Sequence, residues 1–329
     1  MILVTGGTGL VGSHLLFDLV KLGLKVRALK RKNSSLQQVE RIFKLNSSNS
    51  ENLLKNIEWF EADTTNILEL EEAFDGITKV FHCAAFVSYN PKDKEKMFEI
   101  NISGTRNVVN LCLDKKIEKL VYVSSIASLG LTLNDDLITE ETYWENTGKN
   151  SNYSISKYLS EMEVWRGIAE GLNAIMVNPS IILGVGSTSS TSIFKLIKNG
   201  FKYYTKGITG FVDVRDVSKA MILLMNSDIS SERFIISSEN YCWKDIFDLM
   251  AENFKIAKPT KYATKLMTEF AWRLAKIQGF ITFSSPTITK ETARTSHKIL
   301  KYSNSKFKDK FNYEFISVNE SIKYICEKL

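Results

Sequence analysis

The segment TGGTGLVG constrains the fold more than any other part of the chain, because it joins an apolar run to a helical pattern. The apolar run, MILVT at 1–5, has the composition of a buried strand, and apolar residues recur at helical spacing through 10–22. Glycines let the backbone turn sharply and approach a pyrophosphate, which binds at the positive end of a helix. The segment therefore predicts a dinucleotide-binding loop formed by Thr5, Gly6, Gly7, Thr8, Gly9, Leu10, Val11 and Gly12.

Short apolar runs alternate with helical patterns through the first 180 residues. Predicted strands lie at 1–5, 25–29, 57–62, 79–85, 119–125 and 173–180, and predicted helices at 10–22, 35–46, 67–75, 93–114 and 153–171. This alternation is typical of βαβ units, which form a parallel sheet with helices on both faces. We therefore predict an α/β fold, a Rossmann-type doubly wound parallel sheet.

The pattern changes after about residue 180, where amphipathic helical segments become more frequent. We predict a dinucleotide-binding Rossmann domain at 1–180 and a smaller, mostly helical substrate lobe at 181–329, with a stretch near 208–227 returning to the Rossmann core. One helical pattern at 262–283 carries apolar residues at helical spacing, which are Leu266, Met267, Phe270, Leu274 and Ile277. We interpret them as the core of the lobe; the alternative is a lid over an apolar substrate.

The composition, 44% hydrophobic and 24% charged, is that of an ordinary globular protein. The net charge is +6, but the basic residues are spread along the chain without a long arm, so no nucleic-acid partner is expected. The four cysteines form no CxxC pair, which indicates reduced thiols and no metal site. Without a signal peptide or an 18-residue apolar run, we expect no integral membrane span and a cytoplasmic location.

The end of the second predicted strand bears on which dinucleotide binds. An NAD site usually places a carboxylate there for the ribose 2′-hydroxyl, whereas this chain has Lys30, Arg31 and Lys32. A guanidinium pairs with a 2′-phosphate through two hydrogen bonds, so NADP is favoured and NAD is the second choice. Asp63 follows the third strand and is either a contact to adenine or a turn residue.

Further motifs follow the glycine loop in order: VFHCAA at 80–85, NISGTRNVV at 101–109, VYVSS at 121–125 and YSISK at 153–157. With them, nearly the whole chain resembles the extended short-chain dehydrogenase/reductases, the NAD-dependent epimerase/dehydratase superfamily. The segments YSISKYLSE, VNPSIILGVG and GFVDVRDVSKAM are most similar to its dihydroflavonol 4-reductase and 3β-hydroxysteroid dehydrogenase branch.

The resemblance implies a catalytic set of Ser125, Tyr153 and Lys157. Tyr153 would be the acid/base, although a free phenol has a pKa of roughly 10. The Lys157 ammonium would lower that pKa and would also bind the nicotinamide ribose. Ser125 would hydrogen-bond the substrate oxygen; it is preferred over Ser124 because strand neighbours point to opposite sides.

The resemblance also implies cofactor contacts outside the glycine loop, from Lys30, Arg31, Asp63, Thr64, Ala84, Ala85, Asn101, Tyr153, Lys157 and Pro179. For Asn101 two roles stay open, since it could hold the end of the fourth strand or take part in a proton relay. His82 is interpreted as a packed, hydrogen-bonded histidine rather than a catalyst.

Three details of the sequence limit which reaction of this family the chain is expected to catalyse. Family dehydratases carry an Asp-Glu pair after the active hydroxyl, where this chain has Ile126-Ala127. Nucleotide-sugar enzymes usually place an arginine before the F-V-x-V segment, where this chain has Thr209-Gly210, and they commonly read Tyr-Gly where this chain has Ser154. We therefore predict an NAD(P)-dependent oxidoreductase that interconverts a fairly apolar ketone or aldehyde with an alcohol.

Two alternatives are an epimerase with tightly bound NAD and, less favoured, a non-enzymatic dinucleotide sensor. A homodimer is possible on this sequence, because the helices near 93–114 and 153–171 pair between subunits in many relatives.

Overall fold

The computed structural model describes residues 1–132, 136–148, 150–186, 189–282 and 289–329, without the side chains of 189–190 and 276–282. The strands are β1 Ile2–Thr5, β2 Val26–Lys30, β3 Ile57–Glu61, β4 Lys79–His82, β5 Lys119–Val123, β6 Ala174–Pro179, β7 Ile181–Leu183, β8 Tyr203–Tyr204, β9 Ile208–Asp213, β10 Glu232–Ile236, β11 Glu239–Cys242 and β12 Lys261–Tyr262. The helices are α1 Leu10–Lys21, α2 Gln37–Asn46, α3 Ser50–Leu54, α4 Ile67–Ala73, α5 Lys94–Phe98, α6 Gly104–Asp114, α7 Asn152–Ala169, α8 Ser189–Lys198, α9 Val214–Met225, α10 Trp243–Asn253, α11 Lys265–Thr282, α12 Lys290–Thr295, α13 Ser305–Phe311 and α14 Val318–Lys328. Short 3₁₀ turns lie at Pro91–Asp93 and Ile126–Ser128, and a π-helical turn at Glu99–Ser103.

Seven of the described strands form one parallel sheet in the order β10-β6-β5-β4-β1-β2-β3. The chain runs outward from β1 through β2 and β3, and then returns to place β4 on the other side of β1. The direction of winding therefore reverses between β1 and β4, and in such sheets a crevice opens beyond the carboxyl ends of those two strands. The predicted doubly wound fold is confirmed.

Strand residues alternate between two hydrophobic layers, as expected for a sheet covered on both faces. Val4 and Phe81 face the layer formed with α1, α2 and α9. Leu3 and Val80 face the layer formed with α4, α6 and α7. All four side chains are fully buried, so the sheet is a rigid base for the residues at its carboxyl edge.

The C-terminal half of the chain contributes to the main sheet as well as to a second, smaller sheet. β9 does not join the seven-stranded sheet; it lies between β7 and β11 in a second, three-stranded sheet. The helix that follows, α9, packs on α1, β5 and β6, and β10 then pairs with β6 at the edge of the main sheet. The stretch near 208–227 was predicted to return to the Rossmann core. Its strand, β9, lies outside the main sheet, whereas its helix, α9, packs against that sheet.

Helix α11 differs from the lobe core that its spacing predicts. Leu266, Met267, Phe270 and Leu274 are exposed, whereas Ala271 and Trp272 on another side of the helix are half-buried. The side chain of Ile277 lies outside the description. Helical spacing cannot tell a helix that faces the core from one that carries apolar residues outward, because both give the same period. Among the described residues, no helix has the length and apolarity needed to cross a membrane.

Candidate active site

The glycine loop closes tightly against the end of β4. Gly6 has a φ of +67°, and a Cβ there would lie 2.7 Å from the backbone nitrogen of Ala84. A Cβ on Gly12 would lie 2.2 Å from the carbonyl oxygen of Gly6. Only glycine fits at these two positions, so the loop is compact and its backbone is open to a close-approaching ligand.

The amino end of α1 is suited to an anion. Its N-cap, Gly9, offers no side-chain hydrogen bond, and the first turn holds no acidic residue. The free amide groups and the helix dipole therefore face the crevice without a competing carboxylate, which fits a pyrophosphate group of a dinucleotide. Thr8, Leu10 and Val11 are half-buried around this turn, and Gly7 packs against Leu16.

Thr5 and His82 join the ends of β1 and β4. The Thr5 Oγ1 lies 2.7 Å from His82 Nδ1 and accepts a hydrogen bond from the backbone of Ala84. His82 Nε2 lies 3.0 Å from the Oγ1 of Thr105 on α6. Burial lowers the pKa of His82 to about 3, so the ring is neutral. Ala85 follows in the same loop.

The basic pair predicted to read the ribose lies at the carboxyl end of β2. The Lys30 ammonium is 3.5 Å from Glu61 of β3, and Arg31 is exposed. Asp63 accepts hydrogen bonds from the backbone and the hydroxyl of Thr65, at 3.0 and 2.8 Å, as a turn residue does. Thr64 is buried and its carbonyl accepts from Asn107.

Ser125 and Tyr153 meet at the end of β5. Ser125 follows the strand in extended conformation, and its Oγ caps the short turn by accepting from Ala127. Tyr153 lies in the first turn of α7, which begins at the N-cap Ser151. The Ser125 hydroxyl lies close enough to the Tyr153 hydroxyl to influence its pKa. Burial raises the pKa of Tyr153, the Ser125 hydroxyl opposes the rise, and Glu291 adds to it.

Lys157 lies one turn after Tyr153 and is almost fully buried. Its Nζ donates to the Tyr122 hydroxyl and to the Val123 carbonyl, both at 2.8 Å. Burial lowers its pKa to about 7, and the carboxylate of Glu161 opposes this. Both hydrogen bonds of the ammonium thus go to β5, and its effect on the pKa of Tyr153 stays a prediction.

Asn101 lies in the π-helical turn between α5 and α6 and is buried. Its Oδ1 accepts from the backbone of Phe86 at 2.7 Å, and its Nδ2 donates to the Phe86 carbonyl and to Ser156 on α7, each at 3.0 Å. Asn101 therefore ties the chain that follows β4 to the helix that carries Tyr153.

A buried network under Ser125 was not found from the sequence. Glu161 accepts from Ser124 at 2.6 Å, from Ser128 at 2.7 Å and from Asn178 at 2.9 Å, and it pairs with Arg233 at 2.8 Å. The sequence offered one signal for this network. Glu161 follows Tyr153 by eight residues, and this spacing places both on one side of α7. The neighbouring Pro179 ends β6 and pairs in register with Ile236.

Two more side chains missed by the sequence analysis face Tyr153. The Tyr89 ring lies 5.9 Å from the Tyr153 ring, edge to face. Glu291 of α12 lies close enough to Tyr153 to raise the pKa of that phenol, and burial raises the pKa of Glu291 itself. The amino end of α12 therefore lies near Tyr153. Among the described residues, no cluster of three or more His, Cys, Asp or Glu side chains is placed to hold a metal ion.

The fold and the candidate site are those of a Rossmann-type NAD(P)-dependent enzyme. The family model of the NAD dependent epimerase/dehydratase family matches residues 2–237, and the chain belongs to that family. This confirms the predicted membership of the extended short-chain dehydrogenase/reductases.

Similar proteins cover most of the chain. A dihydroflavonol 4-reductase-like protein of Synechocystis is 28% identical, over 92% of this chain and 87% of its own length. Tetraketide alpha-pyrone reductase 2 of Arabidopsis thaliana is 31% identical, over 77% of this chain and 82% of its own. The crystal structure of gox2253 superposes with a TM-score of 0.80 at 27% identity, covering 98% of this chain and 96% of that one.

Proposed function

We propose that this protein interconverts a ketone or aldehyde with an alcohol, with NADP as the hydride carrier. The observation that carries the proposal is that the Ser125 and Tyr153 hydroxyl groups lie close together at the carboxyl edge of the sheet, with Lys157 buried one turn further along α7. The edge is the same one that presents the glycine loop, so a bound nicotinamide and these hydroxyl groups share one crevice.

The nicotinamide, when bound, supplies the hydride that adds to the carbonyl carbon. Ser125 donates a hydrogen bond to the carbonyl oxygen and orients it. Tyr153 gives its phenolic proton to that oxygen as the C=O bond becomes C–O–H, and burial supports this role by keeping the phenol protonated at neutral pH. The Lys157 ammonium lies nearby to stabilise the phenolate, which then regains a proton from water.

NADP rather than NAD is supported by charge at the end of β2. Lys30 and the exposed Arg31 place two cations where a ribose 2′-phosphate would lie, and a 2′-phosphate pairs well with a guanidinium. Glu61 already neutralises part of the Lys30 charge, so Arg31 is the main candidate for that contact.

An apolar small-molecule substrate is supported by β9, whose described residues include no cation at the position where family members that bind nucleotide sugars hold a diphosphate. Thr209 and Gly210 occupy that part of β9. Arg215 lies close in sequence, but it donates two side-chain hydrogen bonds to Asp213, at 2.8 and 2.7 Å, so its charge is already paired. The aromatic ring of Tyr89 beside Tyr153 suits a fairly apolar ligand.

The test is NADPH oxidation by purified protein with a panel of ketones and aldehydes, with NADH as the alternative donor. Tyr153→Phe should lower kcat by about 10²- to 10⁴-fold, the range typical of a lost general acid. Tyr143→Phe is the matched control, since that ring is 87% exposed and should leave turnover unchanged. Wild-type turnover in Tyr153→Phe would overturn the acid/base assignment.

Identification of the co-purified cofactor separates the reductase from the epimerase alternative. Stoichiometric, tightly held NAD with no net NADPH consumption on any carbonyl would favour the epimerase. Exchangeable NADP with net consumption would support the reductase.

A further inference from the structure

Helix α11 presents a continuous apolar stripe to the outside of the protein. Leu266 is 74% exposed, Phe270 68%, Leu274 66% and Met267 43%. Since a helix turns by about 100° per residue, these four side chains fall within an arc of about 100° on one side. Single exposed apolar residues are ordinary, but a contiguous stripe on one element indicates an interaction surface.

The stripe is not the side by which α11 packs on the protein. Ala271, Trp272 and Ala275 on the other side are half-buried, and Thr268 Oγ1 lies 3.0 Å from His297 Nε2. Glu269 pairs with Arg294 of α12 at 3.1 Å and so fixes α11 beside that helix. The helix thus carries one apolar side inward and a second one outward.

The positive charge of the molecule is concentrated in the stretch of sequence that contains this helix. Residues 255–301 contain ten Lys and Arg against two Asp and Glu, whereas the rest of the chain contains 33 against 35. The surplus behind the net charge of +6 is therefore local. The basic residues are spread along the chain, but outside 255–301 acidic residues balance them. The exposed cations of this segment are Lys255, Lys258, Lys261, Lys265, Arg273, Lys290, Arg294, Lys298 and Lys301.

An outward apolar stripe flanked by long basic side chains is the arrangement of helices that lie in the interface of an anionic bilayer. Lys and Arg place their alkyl stems along the apolar boundary and their charges among the phosphates. A second copy of this chain would instead bring the same positive surface against itself, which repulsion opposes. We propose that α11 and its basic surround form a docking surface for anionic phospholipid membranes, on which the protein binds peripherally.

The test is co-sedimentation of the full chain with vesicles of equimolar phosphatidylglycerol and phosphatidylcholine, and with vesicles of phosphatidylcholine alone. We expect binding to the anionic vesicles that weakens at high salt, and little binding to the neutral ones. Phe270→Ser/Leu274→Ser should lower the affinity for anionic vesicles at least about 10-fold, since the apolar stripe is lost. Leu22→Ser/Leu68→Ser, which alters side chains 62% and 71% exposed elsewhere, is the matched control.

A charge-matched pair of variants tests the basic surround. The triple variant Lys261→Glu/Lys265→Glu/Lys298→Glu should lose binding, while the same charge change at the exposed Lys55, Lys92 and Lys310 should retain most of it. Far-UV circular dichroism confirms that each variant is folded.

Three results would overturn the proposal: no binding of wild type to anionic vesicles at low salt, equal loss in test and control variants, or self-association that Phe270→Ser/Leu274→Ser abolishes. The last result would assign the surface to a second copy.

Discussion

Tyr153 and Lys157 both lie where burial favours their neutral forms. Burial raises the pKa of the phenol and lowers that of the ammonium to about 7, and only neighbouring polar groups limit these shifts. A protonated phenol is available as a donor at neutral pH. The buried lysine, by contrast, destabilises the fold whenever it is charged, which is a frequent cost of functional residues.

Lys157→Met should change how stability depends on pH. Between about pH 7 and about pH 10 the wild-type lysine is neutral in the folded state and charged in the unfolded state, so wild-type stability rises with pH in that window. The difference in unfolding free energy, variant minus wild type, should therefore be largest near pH 7 and decrease toward pH 10. Urea unfolding across this range measures it.

Lys32→Met is the control, because Lys32 is exposed and its removal should add no such slope. A constant difference between Lys157→Met and wild type from neutral to alkaline pH would contradict the assignment of a lowered pKa.

The candidate site residues could be proposed from the sequence, but their surroundings could not. Ser125, Tyr153 and Lys157 come from motifs that resemble those of the family. The partners of Lys157 are the Tyr122 hydroxyl and the Val123 carbonyl, on a strand about 35 residues earlier in the chain. The direction of a pKa shift depends on such tertiary contacts, and nothing local in YSISK encodes them.

At the scale of elements, the Glu161 network joins α7 to β5, β6 and the edge strand β10. Glu161 is fully buried, and Arg233 of β10 supplies its charge partner while also donating to the Glu140 carbonyl. A buried pair of this kind contributes little net stability, but removal of one partner leaves an uncompensated charge.

Arg233→Met should destabilise the protein by about 3–5 kcal/mol, since Glu161 would remain buried without a cation. The double variant Arg233→Met/Glu161→Gln should recover part of that loss, because the unpaired charge is gone. Lys306→Met is the matched control: it pairs with Glu232 of the same strand, this pair is only half-buried, and it should contribute less than about 1 kcal/mol. Equal losses for Arg233→Met and Lys306→Met in urea unfolding would exclude the network.

Six of the seven strands of the main sheet could be predicted because each is a short apolar run between helical patterns. β9 shows that composition does not predict which sheet a strand joins. The segment GFVDV could belong to either sheet, and its pairing with β7 and β11 places it in the three-stranded one. The exposure of the apolar side of α11 could not be predicted for a related reason. The helical period of apolar residues does not tell whether they face the core or the solvent.

At the scale of the whole molecule, two buried histidines lie where separate parts meet. His82 connects β1 and β4 to α6 through Thr5 and Thr105. His14 of α1 is near Asp213 and Arg215 at the start of α9, and burial lowers its pKa to about 4. Both rings are neutral in the folded protein and take up a proton in the unfolded state below their ordinary pKa.

The protein should therefore lose stability in mild acid, and His82→Gln should reduce the loss. The folded-state pKa of His82, about 3, is below its ordinary value, so its stabilising contribution is complete above about pH 6.5 and is lost as the pH falls toward 3. From about pH 7 to about pH 5 that contribution falls by about 2 kcal/mol. Urea unfolding of wild type and variant at the two pH values measures it, and equal losses would contradict a neutral His82.

The π-helical turn at Glu99–Ser103 has a consequence for the length of the chain. A π turn holds one more residue than an α turn. With this extra residue, Met97 is buried in the core before the turn, and Thr105 contacts His82 after it. Deletion of a single residue there would give an uninterrupted α-helix whose two halves are rotated by about 100° relative to their present positions. Asn101 and Thr105 could then not both keep their partners, so this segment tolerates substitution far better than a change of length.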